Sequence, residues 1–241
     1  MSKLIDTHFH LDFYKNHSEI YSLINSLEQY TLCVTNSPGV FLSCLKLYSE
    51  TKFIKFALGF HPQEIASNKL SIRDFRQCIN RTGYIGEVGV DLSVKYVGSE
   101  KIQLENFTTI IELAKQYNKL TSIHVRNSED KVIEIIDRIR PNKCIVHWFT
   151  GNEEQLKALV DVGCYFSLNT HMIVSSKQIE RVRSIPKDRI LIESDGPFTK
   201  VNKKIYSPIL LKDAYAAIES ALGYQNLSYI AFENFKRLLS T

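Results

Sequence analysis

Eight short apolar, β-branched runs recur along the chain, each followed by a longer amphipathic segment, and this alternation limits the fold more than any other feature of the sequence. The runs are "KLIDTHFH", "TLCVTN", "KFIKFALGF", "GYIGEVGV", "LTSIHV", "KCIVHWF", "CYFSLN" and "RILIESD". Between them lie helical patterns. In "SEDKVIEIIDRI", Val132, Ile133, Ile135, Ile136 and Ile139 recur at the spacing of one helix face. In "GNEEQLKALVDVG", Asn152 is placed as the N-cap, Gln155 follows three residues on, and Gly163 marks the stop. Eight strand–helix units in 241 residues match a (β/α)8 TIM barrel of the α/β class. No Gly/Ser/Pro-rich linker or charge block divides the chain, so residues 1–241 read as a single domain. An open doubly wound sheet is the alternative, and the lack of a Gly-rich phosphate loop after the first strand speaks against it.

Composition narrows the class. With 44% hydrophobic and 23% charged residues the chain is neither disordered nor fibrous. A net charge of +4 permits a nucleic-acid substrate without demanding one. Five cysteines without a C-x-x-C pair read as reduced, buried thiols, which favours the cytoplasm. No stretch approaches the ~18 apolar residues of a spanning helix, so no membrane is expected.

In a barrel of this kind the C-terminal strand ends converge on one mouth, where the chemistry sits. These ends are unusually polar here. The first run ends in His8 and His10, two apart and therefore on one strand face together with Asp6 and Asp12. "GFHP" adds His61, "GEVGVD" Glu87 and Asp91, "SIHVR" His124, "VHWFTG" His147, and "LIESDGPF" Asp195; five of the seven histidines lie at such ends. A lone histidine at a strand end is usually a hydrogen-bonded core residue, but this collection of imidazoles and carboxylates is what a metal cluster requires. Six candidate ligands, His8, His10, Glu87, His124, His147 and Asp195, exceed the four of one tetrahedral ion, so two divalent ions are expected. In this reading Glu87 bridges them, with His8, His10 and Asp195 on one ion and His124 and His147 on the other. A metal-bound hydroxide is then the expected nucleophile, most naturally at phosphorus.

The motifs "DTHFHLD", "GFHP", "GEVGVD", "IHVR", "HWFTG" and "IPKDRILIESDGPF", in this order over most of the chain, resemble the TatD family of metal-dependent deoxyribonucleases. The resemblance implies a TIM barrel of the amidohydrolase-like superfamily, a divalent metal pair, and 3′→5′ exonuclease or related phosphodiesterase activity on DNA, single-stranded or at 3′ ends. By motif position it makes the same six residues metal ligands and places His61 near the phosphate, so that Glu87, Asp195 and His61 are the expected catalytic residues. "VHWFTG", "GCYFSLN" and "ESDGPF" are also similar to QatD, the TatD-type component of the Qat anti-phage defence cassette, which implies an antiviral role and other Qat components as partners. The chain departs from the family pattern in "TKVNKKIYSP" after the last acid, in keeping only Gln103 of two helix glutamines, and in "SLNTH" after strand seven.

Arg126, Asp91, Trp148 and Lys200 are the expected substrate contacts. Arg126 is suited to hold a phosphate bidentately, with an ion pair to Asp91 or Glu129 as the competing reading. Trp148 and Phe149 offer rings for base stacking or for the core. Lys200, Lys203 and Lys204 suit either phosphate contacts or a solvated loop, His171 the mouth, and His17 the surface. Asp195 is equally suited to orient the attacking water and to act simply as a ligand. Mixed imidazole and carboxylate ligands suit zinc, manganese or iron; magnesium prefers oxygen-rich sites. Two other functions fit a metal-bearing barrel: an amidohydrolase or deaminase acting at carbon, and a non-catalytic subunit of a defence complex.

Overall fold

Each of the eight predicted runs forms a strand in the computed structural model, which describes residues 4–65 and 71–241. In chain order they are β1 (Ile5–Phe9), β2 (Tyr30–Cys33), β3 (Ile54–Phe56), β4 (Leu58–Phe60), β5 (Tyr84–Asp91), β6 (Leu120–Arg126), β7 (Lys143–His147), β8 (Tyr165–Leu168) and β9 (Ile190–Ile192). The third run is split into β3 and β4 at Ala57, whose carbonyl accepts a hydrogen bond from the Thr35 hydroxyl at 2.8 Å and so leaves the ladder.

The chain divides into two compact units. One runs to Cys33 and takes in Glu50–Lys55 and Tyr165–Thr241; the other comprises Val34–Ser49 and Phe56–Cys164. In the first unit β1 and β2 are parallel, with Ile5 opposite Tyr30, and β8 and β9 are parallel, with Phe166 opposite Ile190. The segment that follows β9 is tied to β1: Asp195 N donates to the His8 carbonyl at 2.9 Å and His10 N to the Gly196 carbonyl at 3.0 Å. Asp6 strengthens the tie, accepting on one oxygen from Ser194 N at 2.9 Å and on the other from the Tyr206 hydroxyl at 3.3 Å. Burial pushes its carboxyl up to about 7, against these bonds. Gly196 allows the close approach, since a Cβ there would lie 2.3 Å from the Tyr206 ring and 2.6 Å from the Tyr14 hydroxyl.

In the second unit β4, β5, β6 and β7 follow one another as parallel neighbours. Leu58 faces Ile85, Gly89 faces His124, Asp91 faces Arg126 and Ser122 faces Ile145. The helix Glu100–Gln116 packs on β5 through a buried face that includes Phe107, Ile110, Ile111 and Ala114; burial of each larger side chain contributes about 1.5–3 kcal/mol. The helix Glu129–Ile139 buries Val132, Ile135, Ile136 and Ile139 as its periodicity predicts, with Ile133 half-buried at the edge of the face. Before Glu153–Asp161 the expected cap is a full capping box, Asn152 and Gln155 each bonding the other's backbone N–H.

An antiparallel hairpin after Asp195, β10 (Lys200–Val201) with β11 (Lys204–Ile205), was not foreseen in the sequence. Its turn residues Asn202 and Lys203 both adopt left-handed backbone (φ 51° and 65°), and Asn-Lys lacks the glycine that usually announces such a turn. None of the five cysteines, all buried, is in a disulfide. No described helix is long and apolar enough to cross a membrane.

Gly89 sets the spacing that carries His124 alongside β5, because a Cβ at residue 89 would fall 1.9 Å from the His124 carbonyl oxygen. Gly89→Ala is therefore expected to destabilise the fold by at least about 3 kcal/mol. Gly83→Ala, where a Cβ meets nothing within 4 Å, serves as the control and changes stability by under about 0.5 kcal/mol. Thermal unfolding of both variants checks the contrast, and equal melting temperatures would refute it.

Candidate metal-binding clusters

The first unit gathers His8, His10 and Asp195, all buried. Residues two apart on β1 project together, which brings the Nε2 atoms of His8 and His10 to 3.3 Å. Asp195 follows β9 in left-handed backbone (φ 49°), and its Oδ1 lies 3.8 Å from His8 Nε2 and 3.4 Å from His10 Nε2. Bond lengths of about 2.0–2.2 Å to a tetrahedral cation require donor separations of about 3.3–3.6 Å. Two of the three separations have that spacing and the third, His8 to Asp195 at 3.8 Å, lies just beyond it, so the residues fit a cation after a small adjustment and leave a fourth position open.

The second unit gathers imidazoles around Glu87, which is 3% exposed. Its Oε1 lies 2.7 Å from His124 Nδ1, 3.0 Å from His147 Nε2 and 3.2 Å from His61 Nε2. His147 Nε2 is 3.4 Å from His124 Nδ1. The two imidazole nitrogens, 3.4 Å apart, have the spacing of a cation site, while Glu87 Oε1 stands at hydrogen-bond distance from the rings; the donor set of imidazoles and a carboxylate has the chemistry such a site needs. His61 stands apart among them because its Nδ1 accepts from Gln63 N at 3.2 Å. That bond places the proton of the neutral ring on Nε2, which makes His61 a hydrogen-bond donor toward Glu87 rather than a lone-pair donor.

Asp91, expected to contact substrate, stands instead behind His124. It is 1% exposed, its Oδ2 lies 3.5 Å from His124 Nε2 and accepts from Gln63 Nε2 at 2.9 Å, and its Oδ1 accepts from Ser93 N at 2.9 Å. Burial alone would raise its carboxyl, but the bonds from His124, Ser93 and Gln63 outweigh burial and hold it below the usual carboxylate range. His124 is correspondingly raised: burial disfavours its charge, and the bonds to Asp91 and Glu87 more than restore it. Gln103 fixes Asp91 from the helix, its Oε1 accepting from Asp91 N at 2.8 Å and its Nε2 donating to the Asp91 carbonyl at 3.0 Å. A carboxylate behind a ligating imidazole is the usual support of such a ligand.

Of the other expected contacts, Arg126 is exposed and forms no ion pair among the described residues, neither with Asp91 nor with Glu129. Lys200 is exposed; its backbone N–H donates to His171 Nε2 at 3.1 Å and its carbonyl accepts from Thr170 at 2.8 Å, so His171 anchors the hairpin. Trp148 is half-buried, in left-handed backbone (φ 42°) that turns the chain directly after His147. Phe149, offered for stacking, belongs to the core at 1% exposure.

Sequence reasoning missed Gln63, which joins His61 to Asp91, and the wholly buried Glu193, which accepts from Ser167 and, at 2.8 Å, from Asn169 Nδ2. Gln63 directly follows the quoted "GFHP", and Glu193 lies within the quoted "LIESDGPF", so both stand in or beside motifs already noted.

Comparison with known proteins agrees with this chemistry. The family model described as "TatD related DNase" matches residues 5–240. A curated "uncharacterized metal-dependent hydrolase YcfH" of Escherichia coli K12 is 25% identical over 98% of this chain and 95% of its own length. A metal-dependent hydrolase of Buchnera aphidicola is 30% identical over 95% of this chain and 87% of its own. Among solved structures, the TatD homolog YJJV of Escherichia coli K12 superposes with a TM-score of 0.88 over 100% of this chain and 99% of its own, at 20% identity. That likeness shows the fold, an α/β fold of the TIM-barrel class.

If Asp91 supports His124 as a ligand, Asp91→Asn lowers zinc affinity about 10- to 100-fold without unfolding the protein. Competition against a chromophoric chelator measures this, and unchanged affinity would remove Asp91 from the cluster.

Proposed function

The chain belongs to the TatD-related DNase family, and from that premise we propose that it hydrolyses phosphodiester bonds of DNA from the 3′ end, using divalent cations held by His8, His10 and Asp195 and by Glu87, His124 and His147. The observation that carries this reading is the donor triangle of the buried side chains His8, His10 and Asp195 in the first unit, closed to 3.3–3.8 Å. Cations bound at such sites supply Lewis acidity toward a phosphoryl oxygen and make water a stronger nucleophile near neutral pH.

The chain's own residues supply the rest. His61 carries its proton on Nε2, and a bound phosphate oxygen takes over the hydrogen bond that this N–H directs at Glu87. Asp195, besides ligating, offers its second carboxylate oxygen to orient the attacking water. Arg126, exposed and without an ion pair, grips a phosphate with its guanidinium fork. Lys200, at the start of the hairpin, contacts the backbone without regard to sequence. The carbon-directed alternative is weaker: such enzymes commonly bridge their metals with a carboxylated lysine or use one ion, whereas the carboxylate among these imidazoles is Glu87 and neither cluster includes a lysine. The similarity to QatD extends the proposal to anti-phage defence, in which Glu87→Gln abolishes protection against phage plaque formation while a wild-type copy confers it.

Degradation of 3′- and 5′-end-labelled single-stranded DNA tests the enzymatic reading. Wild-type protein with manganese or zinc is expected to remove nucleotides successively from the 3′ end, chelator to stop it, and Glu87→Gln to show no detectable cleavage. Full activity in Glu87→Gln, or loss of nucleotides from the 5′ end, would contradict the proposal.

A further inference from the structure

We propose that Phe13 and Phe198 form the base-holding platform of the substrate site, stacking on the base of the 3′-terminal nucleotide whose phosphate reaches the His8, His10 and Asp195 cluster. The inference rests on the DNA-hydrolysing function proposed above and names the residues that recognise the strand.

The chain has thirteen phenylalanines, and two of them are exposed: Phe13 at 46% and Phe198 at 49%. Both flank His10. The ring of Phe13 stands 5.4 Å from the His10 ring at 81°, that of Phe198 5.2 Å from it at 79°, and the two phenylalanine rings meet at 4.9 Å and 68°. Edge-to-face contacts of this kind are a favoured arrangement of aromatic rings. They also leave an open corner in which one ring face supports a planar ligand while the other bounds its edge. Exposed apolar rings side by side are costly for a surface unless something covers them.

The backbone holds the corner in place. Phe13 closes the single 3₁₀ turn Leu11–Phe13 that follows β1, and Phe198 N donates to the Asp195 carbonyl at 2.8 Å. The bond from His10 N to the Gly196 carbonyl, at 3.0 Å, joins the two turns, and the Tyr14 hydroxyl donates to the Tyr206 carbonyl at 2.8 Å beside them. The rings therefore ride on the segments that present His10 and Asp195, which puts a stacked base beside the cluster that its own nucleotide's phosphate reaches. Every base has a π-face, so such a platform tolerates any sequence and requires an unpaired base. Of the two rings the sequence offered for stacking or for the core, Phe149 lies in the core and Trp148 is half-buried.

The test crosses enzyme and substrate. Wild type, Phe13→Ala, Phe198→Ala and Phe198→Tyr are assayed on single-stranded oligonucleotides whose 3′-terminal nucleotide is either normal or abasic. The platform predicts that removing the base lowers wild-type kcat/KM about 5- to 150-fold. Phe198→Ala should show the same loss on the normal strand and no further loss on the abasic one, and Phe198→Tyr should behave as wild type. Independent losses that multiply, or wild-type indifference to the base, would overturn it. A second readout needs no turnover: 2-aminopurine at the 3′ terminus is quenched on binding to wild type with chelator present, and the quenching is lost in Phe13→Ala and Phe198→Ala. Quenching without cleavage would keep the platform and reject the nuclease reading; cleavage without quenching would do the reverse. Zinc affinity of Phe198→Ala stays at the wild-type value, and a fall in that affinity with base dependence intact would reduce the rings to a cover for His10.

Discussion

A carboxylate removed from water must be compensated by donors or by positive charge, and Glu87, 3% exposed with three imidazoles within 3.2 Å of one oxygen, is where this structure meets that demand most sharply. Its neighbours are arranged as that demand dictates. His61 turns a proton toward it because Gln63 occupies the other ring nitrogen. His124 is held between Glu87 and Asp91, which raises its affinity for a proton. A cation that takes the Nδ1 lone pair of His124 displaces the proton from that nitrogen and supplies the same compensation with more charge. Asp91 is in turn held by Gln63, Ser93 and the buried Gln103. In the first unit Asp195 is presented to His8 and His10 by backbone bonds that Asp6 and Gly196 make possible.

What the sequence discloses of this arrangement follows from period. Strand residues two apart share a face, so His8 with His10 was legible in the run "KLIDTHFH", and helix spacing located the buried face of Glu129–Ile139. The polar strand ends were legible because His, Glu and Asp are uncommon in apolar runs. What period does not encode is where a side chain goes once the strand has ended. Asp91 terminates its strand as the candidate ligand His147 does, yet turns back toward His124; Phe149 follows His147 by two residues, yet enters the core. Both are decided by turns, at Trp148 through left-handed backbone that no letter announces. The hairpin after Asp195 was hidden for the same reason, its turn being built from Asn202 and Lys203 without glycine.

The division of labour that emerges separates ligands from the groups that steer them. Strand ends supply imidazole and carboxylate, the residues just behind them supply tautomer and orientation, and the turns beyond them supply exposed groups: Arg126, Lys200 and the aromatic pair beside His10. A substrate that is anionic along its backbone and planar at its bases answers to all three of these. The mild net charge of +4 agrees with a protein that meets only a short length of strand.

The central claim is that each unit holds a cation through its own residues. Metal content per chain, measured by plasma mass spectrometry after zinc or manganese loading and desalting, tests it most directly when wild type is compared with His10→Ala and His147→Ala. The account predicts two ions in wild type and one in each variant. No retained metal in wild type, or variants that keep the full complement, would contradict it.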